Sequence, residues 1–234
     1  PLHSSAASDV YKRQIYTLTY IIFFIVVAIV LFINLAPQFG SNPSSEQKVF
    51  YDSFPNYSKG GFENFEATPM MTGEISTWDF FKEDSSRKPT SAILPKSINF
   101  DSFAKTNSDY RLAWLGHSAF LINVMGKIIL LDPMLGSHAA PIPLPNLKRF
   151  NEVLPIKLDS VDKIDFVVIS HDHYDHLDYS TIKLLKDKVS TFLAPHGIGN
   201  HLKKWGVKSN QIIELNWNES FNAEKIEFHC LPSR

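Results

Sequence analysis

The hydrophobic pattern divides the chain into three stretches. The first is a predominantly apolar run from Ile15 to Ala36 without a single charged residue. About 20 such residues suffice to cross a bilayer as a helix, whereas a helix buried in a soluble core is apolar along one face only. A cleavable signal sequence is the rival reading, but its apolar region normally spans about 7 to 15 residues and ends at an Ala-x-Ala-like site. Neither condition is cleanly met, so the run reads as an uncleaved transmembrane anchor. Tyr16 and Tyr20 suit the interface at its N-terminal end. Lys12 and Arg13 precede the run, and no basic residue follows until Lys48. That asymmetry places the N-terminus in the cytoplasm and the following domain outside, in a single-pass arrangement. Residues 1–14 are small, polar and aperiodic, a leader that need not be native, and the orientation stands only if they are.

The second stretch, residues 37–107, is rich in Pro, Ser, Asn and aromatic residues and carries few periodic runs. Gln38 to Ser45 reads as a linker. The aromatic-rich segment from Phe50 to Phe65 reads as an irregular strap, with a cleft lip or a lipid-touching surface as the functional alternative. Ile75 to Glu83, with Trp78, Phe80 and Phe81, has the spacing of a short amphipathic helix.

Regular alternation begins in the third stretch, residues 108–234. Arg111 to Leu115 and Ala119 to Val124 read as strands, and Met125-Gly126 as the turn that returns Lys127 to Leu131 as their partner. Gly136 to Pro155 is a proline-punctuated loop, too long for an idle connection and suited to the side of a cleft. Ile164 to Ser170 is an apolar strand. A helix near Tyr179 to Asp187 follows, with Asp178 as N-cap, then a strand at Thr191 to Ala194 and a helix at Gly199 to Trp205 stopped at Gly206. Gln211 to Leu215 and Lys225 to Cys230 complete the strands. Strand and helix alternate as an α/β layer requires.

Composition narrows the functional classes. A formal net charge of −1 gives no electrostatic case for nucleic acid as a partner. The single cysteine, Cys230, excludes a disulfide framework and a cysteine-rich zinc site, and reads as a small buried hydrophobe. Eighteen phenylalanines and 44% hydrophobic residues suit a globular core plus a membrane segment. Oligomeric state is not legible.

The chemistry is concentrated in His171-Asp172-His173-Tyr174-Asp175-His176, directly after the apolar strand. Imidazole nitrogen and carboxylate oxygen are ligands that Zn²⁺ and similar ions prefer. In extended backbone His171 and His173 point to one side and can grip one ion, while Asp175 and His176 follow a turn and can reach a second. A solvated polar loop is the plain alternative, but polar loops rarely carry this spacing behind a buried strand. His117, in Gly116-His117-Ser118, is either simply exposed on a turn or aimed at substrate, and is not read as a metal ligand. Asp132, at a strand end, is either a surface cap or a carboxylate that orients metal ligands. His196, His201 and His229 are isolated and read mainly as structural or exposed.

His171-x-His173-x-Asp175-His176 resembles the signature of the metallo-β-lactamase fold, a four-layer αββα sandwich that holds one or two metal ions. Trp114-Leu115-Gly116-His117-Ser118-Ala119-Phe120-Leu121, Gly126-Lys127 and Leu131-Asp132-Pro133 are similar to the branch containing N-acyl-phosphatidylethanolamine-hydrolysing phospholipase D and the ascorbate-6-phosphate lactonase-like proteins. Gly60-Gly61-Phe62-Glu63-Asn64 and Ala194-Pro195-His196-Gly197 also look like that branch, the first toward its phospholipase side. The resemblance spans roughly Gly60 to Arg234. It implies zinc, or another divalent metal, as cofactor, with His171 and His173 on one ion and Asp175 and His176 on the other. Asp175 would also orient the attacking water, and Asp132 would orient ligands. The implied activity is a metal-dependent phosphodiesterase acting on phospholipids such as N-acyl-phosphatidylethanolamines. A lactonase of the same fold acting on a small molecule, and a catalytically silent anchored metal-binding module, are the alternatives.

In the family the remaining ligands are a His, a bridging Asp and a final His from later loops, and the pattern around the third His runs Pro-x-Arg-His. Pro232-Ser233-Arg234 stops one residue short of it. The expectation is therefore a fragment at both ends, holding the N-terminal half of the sandwich after a transmembrane helix. One sheet face would be uncovered and the edge strands unpaired, and residues 1–234 alone would be neither stably folded nor active.

Overall fold

A computed structural model describes residues 3–69, 89–91, 93–105 and 110–233. The helix expected at Ile75 to Glu83 lies outside the described residues. Two units divide the chain at Phe39 and Gly40.

The first unit is one long helix, α1 (His3–Leu35), followed by a single 3-10 turn at Pro37–Phe39. Its segment Ser8–Leu35 is 28 residues long and apolar enough to cross a membrane. At 1.5 Å per residue that is about 42 Å of helix, longer than the roughly 30 Å hydrocarbon layer. Leader and apolar run are one continuous helix here, although the sequence marks no start for it before Ile15. The ring of Phe39 meets Phe32 edge-on at 5.5 Å.

The second unit begins with two elements that the aromatic-rich strap conceals. Helix α2 (Ser45–Tyr51) starts in a capping box, in which the Ser44 side chain accepts from Gln47 N and the Gln47 side chain accepts from Ser44 N. Strands β1 (Tyr57–Ser58) and β2 (Gly61–Phe62) pair antiparallel. Their two-residue loop, Lys59-Gly60, has φ of +50° and +83°, the left-handed pair that a tight hairpin of matching twist needs. The strap is thus regular where the sequence reads as irregular. Its rings pack on one another: Tyr51, Tyr57 and Phe62 lie 4.9–5.5 Å apart, centre to centre.

A short helix α3 (Phe100–Ala104) leads to the sheet that organises the unit. Its six strands are β3 (Tyr110–Gly116), β4 (Ala119–Val124), β5 (Lys127–Leu131), β6 (Ile164–Val168), β7 (Val189–Pro195) and β8 (Ile212–Leu215), in that spatial order. The first three run antiparallel through tight turns, and β5 to β8 run parallel. Two helices, α4 (Tyr179–Leu185) and α5 (Ile198–Lys204), make the crossovers into β7 and β8. The mixed sheet follows from this connectivity, since a parallel neighbour needs a crossover and an antiparallel one only a turn.

The two faces of the sheet are dressed differently. On the helix side, Leu121, Val167 and Phe192 meet Ile182, Leu185 and Leu202, all 2% exposed or less. Asn123, buried on that face, donates to the carbonyls of Phe103 and Ala104 and so anchors α3 by its last turn. On the opposite face Ile129, Phe166 and Leu193 are covered by a hairpin, β9 (Ser220–Ala223) and β10 (Ile226–His229). Phe166 sits 5.0 Å from Phe228, ring to ring. The hairpin partly covers the face expected to be bare. Toward the edge strand β3, Leu112 and Trp114 of that face stay 59% and 62% exposed. Strand β9 has no counterpart in the sequence reading, and Cys230 lies just past β10, half-buried rather than in the core.

Candidate metal centre

Parallel pairing brings the C-terminal ends of β5 and β6 together, with Leu131 opposite Val168. Asp132 therefore emerges beside Ser170. Its backbone is left-handed, φ +41°, a conformation that costs a non-glycine residue energy unless its surroundings hold it. They do. Asp132 N donates to Val168 O at 2.9 Å. The carboxylate, only 5% exposed, accepts from Ser170 N at 2.7 Å and Ser170 Oγ at 2.8 Å. A third partner is His176 Nδ1, 2.9 Å from Asp132 Oδ2.

The loop after β6 turns as its spacing suggests. His176 N and Leu177 N both donate to His173 O, at 2.9 and 2.8 Å. The turn is pinned from behind by Asp178, the N-cap of α4. Its buried carboxylate accepts from Ser180 N and Thr181 N, and also from Gly136 N of the proline-punctuated loop. Arg149 of that loop donates to Leu135 O at 2.8 Å. Loop and helix start are thereby locked to each other beside the site. Tyr174 is partly buried, and burial pushes its hydroxyl up to about 12, so it stays protonated at neutral pH.

The rings of His173, His171 and His176 follow one another in contact. The His171 ring lies 4.0 Å from that of His176 and 4.6 Å from that of His173. Burial, followed by the neighbouring imidazoles of His176 and His173, holds His171 below the ordinary histidine value, against the pull of Asp132 and Asp175. Its neutral form, the one that can ligate, is thus favoured.

His117 arrives from the turn between β3 and β4, where Gly116 and His117 are both left-handed, at φ +118° and +47°. Trp114 Nε1 donates to His117 O at 2.7 Å and braces the turn. His117 Nε2 then lies 2.8 Å from Asp175 Oδ2. His176 Nε2 is 3.6 Å from the same oxygen. Burial by itself would raise the Asp175 carboxyl. The hydrogen bond from His117, a backbone hydrogen bond and the charge of His176 outweigh it and hold the group below the usual carboxylate range.

Donor atoms of His117, Asp175 and His176 all lie within 4.8 Å of one another. Two imidazole nitrogens and a carboxylate oxygen form a donor set suited to zinc and other divalent metals, and the structure therefore fits such an ion. His117, kept apart from the ligands on sequence grounds, belongs to this group of donor atoms. The local cue was the Gly-His-Ser turn, and its left-handed backbone sets the largely exposed imidazole beside Asp175. His171 adjoins the group through its ring against His176, and His173 reaches it only through His171.

The isolated histidines separate cleanly. His196, past the end of β7, stacks on Phe54 at 4.9 Å and 26°, with Phe50 and Tyr51 around it. His201 on α5 accepts a backbone hydrogen bond from Ser41 N through Nδ1 at 3.0 Å. His229 is exposed and paired with Glu227 at 3.3 Å.

Comparison with known proteins shows which ones the chain is similar to. Residues 127–234 match the family model described as Beta-lactamase superfamily domain. The chain is 33% identical over 201 residues to an uncharacterized protein of Mycobacterium tuberculosis, covering 83% of this chain and 53% of that protein. It is 34% identical over 161 residues to N-acyl-phosphatidylethanolamine-hydrolyzing phospholipase D 1 of Caenorhabditis elegans, covering 64% of this chain and 44% of that one. A metal-dependent hydrolase of Caldivirga maquilingensis is 41% identical over 123 residues, 52% of this chain and 47% of that one. The chain thus spans about half the length of these relatives. The matched segment begins at β5 and takes in the His171–His176 loop, and over this segment the chain is similar to the β-lactamase superfamily domain.

Proposed function

We propose that the protein is a metal-dependent hydrolase acting on phosphodiesters, with N-acyl-phosphatidylethanolamine-like lipids as its substrate class. The observation that carries the reading is the convergence of His117, Asp175 and His176 donor atoms within 4.8 Å, with Asp132 seated behind His176. The likeness to the nematode phospholipase, which covers 64% of this chain, supports the phosphodiester class. The likeness of residues 127–234 to the Beta-lactamase superfamily domain, and of the chain to a metal-dependent hydrolase, supports the reaction type.

In this reading His171, His173, Asp175 and His176 hold one or two zinc ions or other divalent metals, and the His117 imidazole adds a further donor. When bound, such an ion supplies Lewis acidity toward a phosphoryl or carbonyl oxygen and makes water acidic enough to ionise near neutral pH. The chain's own residues do the rest. Asp175, an anion across the neutral range, accepts from the attacking water and orients it. While no ion occupies that nitrogen, His117 Nε2 donates to Asp175 and holds its rotation. Asp132 fixes the His176 ring, and the locked Gly136–Pro155 loop and α4 start keep the loop from relaxing. Helix α1, in the same reading, anchors the protein in a bilayer with its catalytic domain outside the cytoplasm. It predicts that the protein stays in the membrane pellet through alkaline carbonate extraction.

The test is metal content of the intact gene product alongside hydrolysis of bis(p-nitrophenyl) phosphate, with His173→Ala as control. Metal at one or two ions per chain, with cleavage lost in the variant, is the expected result. Bound metal without phosphodiester cleavage would move the substrate class to lactones. A well-folded protein without metal would overturn the enzyme reading.

A further inference from the structure

Ser170 has no place in the proposed ligand set, yet its hydroxyl touches three groups of the site. Oγ lies 2.8 Å from Asp132 Oδ2, 2.9 Å from His171 Nδ1 and 3.4 Å from His176 Nδ1. A hydroxyl carries one proton and two lone pairs. Toward a carboxylate oxygen it can only donate, so its proton is committed to Asp132. Toward His171 it can then only accept, which places a proton on His171 Nδ1. The direct contact of Asp132 Oδ2 with His176 Nδ1 places a proton there by the same reasoning. Ser118 Oγ, 3.2 Å from that nitrogen, can share the same N–H as an acceptor. In the neutral form, each ring with its proton on Nδ1 presents an unprotonated Nε2.

We propose that Ser170 is a positioning residue that relays the acceptor character of Asp132 to His171, so that one buried carboxylate sets the same Nε2-accepting tautomer on two imidazoles. The purpose rests on the reading that these imidazoles hold a metal, because a ring that presents Nε2 must carry its proton on Nδ1. Backbone geometry makes the relay rigid. Ser170 N donates to the second oxygen of the same carboxylate, which leaves serine and aspartate little freedom to rotate apart. The relay joins residues 38 positions apart, and in sequence Ser170 is an ordinary small residue at a strand end.

The intact gene product, metal-free and labelled with ¹⁵N at histidine, tests this by long-range proton–nitrogen correlation at mildly alkaline pH. His171 and His176 are expected as Nδ1–H tautomers, assigned by loss of each signal in His171→Gln and His176→Gln. In Ser170→Ala the His171 signal is expected to move toward the Nε2–H form while His176 keeps its own, and Ser170→Thr restores the original pattern. Zinc affinity by chelator competition should fall about 10- to 100-fold in Ser170→Ala and recover in Ser170→Thr, the range that lost outer partners of a ligand typically cost. A wild-type His171 already in the Nε2–H form, or an unchanged His171 signal in a folded Ser170→Ala, would overturn the proposal. Wild-type protein with the expected tautomers but no affinity for zinc would instead sink the metal reading and leave the relay standing.

Discussion

Strands β6 and β7 lie side by side, run parallel and are each followed by histidine, yet the two groups of imidazoles meet different company. Beyond β6, His171 and His176 face oxygen: the hydroxyl of Ser170 and the carboxylate of Asp132. Beyond β7, His196 faces the rings of Phe50, Tyr51 and Phe54, and His201 accepts a backbone N–H from Ser41. Burial holds His171, His196 and His201 all below the ordinary histidine value, so burial does not distinguish them. Partner chemistry does. An imidazole whose one nitrogen donates to oxygen offers the other as a ligand, whereas His201 has spent a lone pair on the backbone and His196 serves as a flat aromatic surface.

The largest expected effect is structural and lies on the β7 side. At Gly40, φ is +70°, and an added Cβ would sit 1.8 Å from His201 Nδ1. Gly40→Ala should therefore cost about 2–4 kcal/mol by urea titration, from overpacking and left-handed strain together. Next comes the β6 side, where Asp132→Asn should weaken zinc binding about 10- to 100-fold by chelator competition. His201→Ala leaves Ser41 N without its acceptor and should cost about 1–3 kcal/mol of stability while zinc affinity holds. A drop in zinc affinity as large as that of Asp132→Asn would break the comparison.

Acid sharpens it further. His196 and His201 have folded values below their unfolded ones, burial being the leading cause, so they take up protons more readily in the unfolded chain. Their contribution to stability is complete above the unfolded value of about 6.5 and is lost as pH falls through the folded values. Thermal unfolding followed below that pH should be less acid-sensitive in His201→Ala than in wild type. The smallest effect is expected of His196→Phe, which keeps a ring stacked on Phe54. Stability should change by less than about 1.5 kcal/mol, with zinc affinity unaltered.

Much of the second unit is legible in its residues because its patterns are local. The alternation in Ala119 to Val124, the Met125-Gly126 turn and the apolar run at Ile164 mark strands within a residue or two of their ends. Asp178 announces α4 by its cap. Short elements escaped for a physical reason. Tyr57–Ser58 with Gly61–Phe62, and Ser220–Ala223, offer too few alternations to stand out, and their order comes from packing on a neighbour. The capping box at Ser44 and Gln47 was there to be read, but proline and serine around it suggested a linker.

What the sequence by itself determined is the type and order of donors: three imidazoles and two carboxylates at metal-ligand spacing behind a buried strand, within a segment of recognisable superfamily character. Strand propensity, turn chemistry and ligand preference are properties of neighbouring residues, and neighbours are what a sequence displays. Tertiary structure decided which distant groups join them. Asp132 reaches His176 across 44 positions, and His117 reaches Asp175 across 58. The pairing of Leu131 with Val168 and the left-handed backbones at Asp132 and His117 bring them there. Register and chain crossing are set by the packing of the whole sheet, and no local pattern around either residue encodes the partner it will meet.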